Sequence, residues 1–181
     1  MGKQNVYDNL EPTIHQRIAE AVADAVPVLD IACGDGRLID FIVSGSGCTT
    51  YGVDISVSHL VAAREKANTR GISHRVLLAA GDAQKLCFLD RSFGSLVMLY
   101  SLHEIRHLPS ALEEARRVLR PGGKFIAVDP VRGGIAETLW HERYYDLEEI
   151  ESLLTYAGFS ELTSDFLYDD IVFVSAKKVA M

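Results

Sequence analysis

No run of about 18 or more apolar residues occurs in the 181-residue chain, so no membrane-spanning helix is expected. The opening stretch, Met1 to Asp8, lacks the apolar core of a secretory signal. Cysteine is scarce. Cys33, Cys48 and Cys87 are odd in number and widely spaced, matching neither a disulfide framework nor a zinc pattern, so no metal is expected and a reducing cytoplasm is the expected compartment. Blocks of basic residues are missing too: 18 Lys and Arg are scattered among 25 Asp and Glu, for a net charge of −7. Nucleic-acid binding, which rests largely on phosphate neutralisation, is therefore not expected. There is no internal repeat, low-complexity tract or linker. With 48% hydrophobic residues, that favours one domain with a substantial core.

What the chain does have is a regular alternation of strand and helix signals. The most informative stretch is Val28 to Gly36, where a short apolar run meets a carboxylate, turns through Gly34 and Gly36, and gives way to a helical pattern near Leu38–Val43. Glycine there lets a ligand approach the main chain without meeting a Cβ. Before it, Pro12 is expected to start a helix with Ile14, Ile18, Val22 and Ala25 on one face. After it, the small-residue loop 44–47 leads to a strand at Thr50–Asp54. Ser56 or Ser58 is expected to cap the next helix, which buries Leu60, Ala63 and Ala67 and closes at Gly71. Strands follow at Arg75–Ala80 and Ser95–Ser101. A helix opened by Pro109 and Ser110 carries Leu112, Ala115 and Leu119, with Glu113 and Arg117 as an exposed pair, and Pro121-Gly122-Gly123 is expected to stop it. Phe125–Val128 is a fifth strand. Asp146 and Glu149 resemble a capping box on a helix carrying Leu147, Ile150 and Leu154, which Gly158 ends. Two strands near Leu162–Leu167 and Ile171–Ser175, joined by a tight Tyr168-Asp169-Asp170 turn, should pair antiparallel. The expected fold is α/β: a doubly wound, mostly parallel seven-stranded sheet with an antiparallel C-terminal hairpin and helices on both faces.

In such sheets ligands bind beyond the carboxyl ends of the strands. Here those ends carry Asp30, Asp54, Gly81-Asp82, Ser101 with His103, and Asp129. Several polar tips on one edge argue for a polar ligand lying across it. Leu29 to Gly36 resembles the glycine motif of class I, Rossmann-like S-adenosylmethionine-dependent methyltransferases. Gly52-Val53-Asp54-Ile55-Ser56 resembles that family's ribose-binding strand, and Gly81-Asp82-Ala83 its adenine-binding element. Ser92 to Ser95 with Leu102 to Ile105, and Leu119 to Phe125, resemble its fourth and fifth strand segments. The likeness covers roughly residues 25–178 in order. Two departures stand out: Ala32 replaces a usual glycine, and Gly94 a frequent aspartate.

The resemblance implies S-adenosyl-L-methionine as methyl donor and a single methyltransferase domain. Within it, residues 1–26 form an N-terminal arm and helix, 27–129 the cofactor-binding core, 130–145 a lid over the acceptor, and 146–181 the last helix and hairpin. Asp54 would accept from the ribose hydroxyls, Asp82 and the Ala83 amide would hold adenine, and Asp30 would face the ammonium. Ala32, Cys33, Gly34, Ile55, Leu99 and Tyr100 complete the implied cofactor set. His103 is the candidate general base. Tyr7, Trp140 and Tyr144 are candidates for the acceptor pocket, with His141 and Tyr145 in the same aromatic loop. The Pro-Pro-aromatic segment of amino-methylating DNA enzymes, the Pro-Cys of cytosine-C5 enzymes and the paired-glutamate loop of arginine methyltransferases are all missing. A small-molecule acceptor is therefore expected, and the chain is read as a monomer or homodimer. A nicotinamide-dependent dehydrogenase would need a third glycine where Ile39 stands. The remaining alternative is a non-catalytic cofactor-binding module, or a subunit that needs a partner.

Overall fold

The computed structural model describes residues 4–179. In chain order the elements are α1 (Gln4–Val22), β1 (Val28–Ile31), α2 (Arg37–Ser46), β2 (Thr50–Asp54), α3 (Val57–Thr69), β3 (Val76–Ala80), β4 (Phe93–Leu99), α4 (Leu108–Val118), β5 (Leu119–Pro130), α5 (Ile135–Trp140), α6 (Leu147–Tyr156), β6 (Phe159–Tyr168) and β7 (Ile171–Lys178). One sheet holds the strands in the order β3-β2-β1-β4-β5-β7-β6. The first five run parallel and β7 lies antiparallel to both β5 and β6, as the sequence predicts.

Period-2 patterning divides the core. Leu29, Ile31, Leu96, Met98, Phe125, Ala127, Val172 and Val174 point to one side and pack with α4 and α6 through Leu112, Ala115, Ile150 and Leu154. Val28, Val97, Ile126, Val128, Ile171 and Phe173 point to the other, against Ile14, Ile18 and Val22 of α1 and Leu38 and Ile42 of α2. On that side α3 packs against α2 through Leu60, Ala67, Ile39 and Val43. Strand order reverses between β1 and β4, which puts the mouth of a crevice at the carboxyl ends of those two strands.

Several local expectations change. The first helix begins at Gln4 and carries Pro12 in its interior. Tyr7 and Leu10 join the same apolar cluster as Ile14 and Ile18, and that burial outweighs the one backbone bond proline cannot make. Residues 44–46 belong to α2, which ends at Gly47 in a left-handed cap. The strand expected at Ser95–Ser101 sits two residues earlier because Tyr100, at φ 51°, turns the chain. Pro121-Gly122-Gly123 does not stop α4, which ends at Val118; the triplet forms a bulge inside β5, where Phe93 pairs with Leu119 and Ser95 with Lys124. Arg117 ignores Glu113 and binds Glu114 and Asp90 at 2.7 Å. The segment 130–145 contains the short helix α5. The Asp146–Glu149 capping box forms as expected.

Candidate active site

The glycine turn is built by main-chain constraint. After β1 the chain enters the left-handed region at Ala32 (φ 57°) and Gly34 (φ 51°). A Cβ in that region costs roughly 1 kcal/mol, which explains a glycine preference at position 32 that this chain does without. The Cys33 amide donates to the Val53 carbonyl at 3.1 Å, tying the turn to β2. The Gly34 amide donates to Asp54 Oδ2 and the Ser56 amide to Oδ1, each at 2.8 Å. His59 Nδ1 lies 3.4 Å from Oδ1. Asp54 is thus clamped at the end of β2, with acceptor positions left over, since a carboxylate offers about four.

Asp30 is only 2% exposed, and its side chain has no hydrogen-bond partner among the described residues. Burial, reinforced by the nearby Asp54 charge, pushes its carboxyl well above the usual range. Asp30 lines a cavity of about 230 Å³ with Ala32, Cys33, Gly34, Leu99 and Tyr100, and Glu11, His15 and Arg37 line it as well. Burial also pushes the Cys33 thiol far up, leaving it an inert wall.

A second cavity of about 540 Å³ lies over the ends of β2 and β3, lined by Asp54, Ile55, Asp82, Ala83, Ser101 and their neighbours. Ile55 is 78% exposed there, an apolar shelf beside the clamped carboxylate. Asp82 accepts from the Gln84 amide at 2.8 Å and from the Gln84 side chain at 3.0 Å, and these bonds hold its carboxyl below the usual range. The Ser101 hydroxyl is buried without a partner among the described residues.

The third cavity, about 320 Å³, lies beyond β4 and contains His103, Tyr7, Tyr100, Trp140 and Tyr144, with Glu11, Arg37, Glu104 and Glu142. His103 Nδ1 lies 2.8 Å from Asp129 Oδ1, and its main-chain amide reaches Oδ2 at 3.3 Å. Nε2 lies 3.2 Å from Glu142 Oε2, which also accepts from the Tyr144 hydroxyl at 2.9 Å. Tyr144 packs on the imidazole with centroids 4.4 Å apart. Burial alone would lower the pKa of His103, but the Asp129 hydrogen bond and the charges of Asp129, Glu142 and Glu104 together outweigh it, so the net shift is upward. Burial lifts the Asp129 carboxyl as well, yet both its oxygens accept from His103, and the ring is the group with three carboxylates around it. Tyr7 packs on Trp140 at 4.7 Å and donates its hydroxyl to Asp170 at 2.6 Å.

These cavities adjoin. Ala32 and Gly34 line both the first and the second; Glu11, Arg37 and Tyr100 line both the first and the third. Every residue singled out from the sequence for the cofactor set faces one of them, as do His103, Tyr7, Trp140 and Tyr144. Two of the loop aromatics do not: Tyr145 packs against the main core and His141 is exposed. Sequence reasoning missed Glu11, Arg37 and Glu142, and the pairing of Asp129 with His103. The polar tip of β5 was a signal for Asp129; nothing local marks the other three. It also sought metal ligands only among cysteines, whereas His103, Glu104 and Glu142 bring one nitrogen and two oxygens within 4.8 Å of one another.

Among proteins of known kind, a family model described as a methyltransferase domain matches residues 28–123. The chain is 34% identical over 141 residues to the sterol 4-C-methyltransferase of Caenorhabditis elegans, covering 77% of this chain and 42% of that enzyme. It is 32% identical over 126 residues to the ubiquinone/menaquinone biosynthesis C-methyltransferase of Paracoccus denitrificans, covering 68% and 50%. It thus spans half or less of the length of these two relatives. A crystal structure of a Pyrococcus horikoshii protein superposes with a TM-score of 0.80 at 22% identity, over 97% of this chain and 91% of that one, which shows the shared fold. No described helix is long and apolar enough to cross a membrane.

Proposed function

The chain belongs to the S-adenosylmethionine-dependent methyltransferase family, and we propose that it transfers a methyl group from S-adenosylmethionine to a small organic acceptor in the His103 cavity. The observation that carries this reading is the continuity of the three cavities along the carboxyl ends of β1, β2 and β4. One suits a nucleoside, one an amino acid, and the third an acceptor.

The residues present fit the donor. Asp30 is a buried carboxylate without a partner, facing the cavity sized for the amino-acid part, and an ammonium group would satisfy it. The Asp54 carboxylate, fixed by two amides, keeps acceptor capacity for a diol, and Ile55 and Ala83 flank the space for the base. S-adenosylmethionine, when bound, supplies a sulfonium methyl whose transfer leaves a neutral thioether. The protein's part is placement, which can contribute on the order of 7–11 kcal/mol, and proton removal. His103 is the base: Asp129 holds Nδ1, so Nε2 is the accepting atom, and the acceptor takes the place Glu142 Oε2 holds in this structure. Residues 130–145, which bring Trp140, Glu142 and Tyr144 into the lining of this cavity, act as its cover.

The test is transfer of labelled methyl across an acceptor panel. His103→Gln is expected to lower kcat by roughly 10²–10⁴-fold while S-adenosylhomocysteine affinity stays unchanged. Because a base must be unprotonated and the pKa of His103 is raised, wild-type kcat/KM should climb with pH, with a midpoint above the usual histidine value. Unchanged turnover in the variant would remove the base, and no transfer to any acceptor would remove the activity.

A further inference from the structure

The acceptor cavity carries an unbalanced charge. Glu11 is matched by Arg37 at 3.1 Å and Asp129 by His103 at 2.8 Å. Glu142 shares that same ring through Nε2, and Glu104 has no hydrogen-bond or ion-pair partner for its side chain among the described residues. One imidazole therefore answers three carboxylates. The walls are aromatic: Tyr7 and Trp140 pack with ring centroids 4.7 Å apart at a tilt of 59°, and Tyr100 and Tyr144 line the same cavity. Glu104 and Glu142 are exposed carboxylates set beside π faces, an arrangement that attracts a cation. The volume, about 320 Å³, lies at the low end of the roughly 300–1,000 Å³ seen for ligand pockets.

We propose that the acceptor is a small organic amine that enters as an ammonium ion between Glu104 and Glu142 and is methylated on nitrogen. The proposal rests on the methyltransferase reading above. It sets this chain apart from the relatives named as sterol and ubiquinone/menaquinone biosynthesis C-methyltransferases, whose names specify carbon as the methylated atom.

The proton inventory closes. An ammonium nitrogen has no lone pair, so its N–H bond breaks first, with the proton passing to Nε2 of neutral His103. The freed pair on nitrogen forms the new N–C bond as the carbon–sulfur bond of the sulfonium breaks and its electrons return to sulfur. The products are a methylated ammonium, a neutral thioether and an imidazolium, which returns its proton to solvent. No redox partner is required.

Trp140 is the only tryptophan in the chain, so its fluorescence reports this cavity directly. The full chain, saturated with S-adenosylhomocysteine, is titrated with two charged probes and their uncharged counterparts: choline against 3,3-dimethylbutan-1-ol, and phenethylamine against 2-phenylethanol. The expected result is that at least one cation binds about tenfold or more tighter than its neutral partner. Glu104→Gln with Glu142→Gln should erase that preference; the wild-type comparison stands without it should the double variant fold poorly. Equal affinities within both pairs, or no response to either cation at tens of millimolar, would overturn the proposal. So would a tight response to Mn²⁺ with both cations silent, which would give these carboxylates to a metal. Calorimetry with S-adenosylhomocysteine alone keeps the two readings apart. No heat of binding removes the methyltransferase reading, whereas binding without cation preference removes only the amine.

Discussion

Asp30 is buried in the crevice at a thermodynamic cost. Its folded pKa lies well above the unfolded value of about 3.9, so the native state holds a proton that the unfolded chain has released. Stability is therefore withdrawn as pH rises from that unfolded value through the folded one. Asp30→Asn is expected to raise the Tm of the ligand-free protein at pH 7, with the gain vanishing near pH 3, in calorimetric scans. The same substitution should weaken S-adenosylhomocysteine binding by about 1.5–3 kcal/mol, the worth of a charge-assisted bond. In the wild type, affinity should improve as pH rises through the folded pKa of Asp30, because an ammonium partner needs the ionised form; in the variant that slope should flatten. A stabilised variant that binds as tightly as the wild type would show that Asp30 meets no ammonium.

Among the elements, the entrance to β4 and the clasp on α1 have different tolerances. A Cβ at Gly94 would stand 2.6 Å from the Ala25 carbonyl group and 2.7 Å from that of Val26, where the chain passes between α1 and β1. That backbone cannot yield as a side chain could, which explains why this chain keeps glycine where its family often has aspartate. Gly94→Ala should cost about 1–3 kcal/mol in urea unfolding. At the other end, Asp170 in the β6–β7 turn accepts from the Tyr7 hydroxyl at 2.6 Å and the Ala136 amide at 3.0 Å, joining α1, α5 and the hairpin. Tyr7→Phe should cost about 1–3 kcal/mol and lower hydrogen-exchange protection in the first turns of α1. These elements also mark what was legible in the sequence. The β1, β2 and β3 tips could be read because each acid lies within two residues of the end of an apolar run, and the α6 cap because its two carboxyl residues stand three apart. The start of α1 and the bulge in β5 could not, because in both places tertiary packing overrode a local proline signal. Glu11 and Glu142 were invisible for a related reason: they reach the site from α1 and from residues 130–145, and only closure of the fold brings them to it, while Arg37 opens α2 beside the glycine turn and its pairing with Glu11 is a tertiary contact.

For the whole molecule, the sheet order matters more than any single motif. Reversal between β1 and β4 opens the crevice, and α1 together with residues 130–145 lines its far end, so the Asp30 and His103 cavities share Glu11, Arg37 and Tyr100. A net charge of −7 spread over the chain suits a cationic ligand better than an anionic one. The most direct test of the central claim is isothermal titration of the wild-type chain with S-adenosylhomocysteine, run beside Asp54→Ala. Saturable binding of one ligand per chain, lost or severely weakened in a variant that still melts cooperatively, is the expected result. No binding to the folded wild type, or equal binding by the variant, would contradict it.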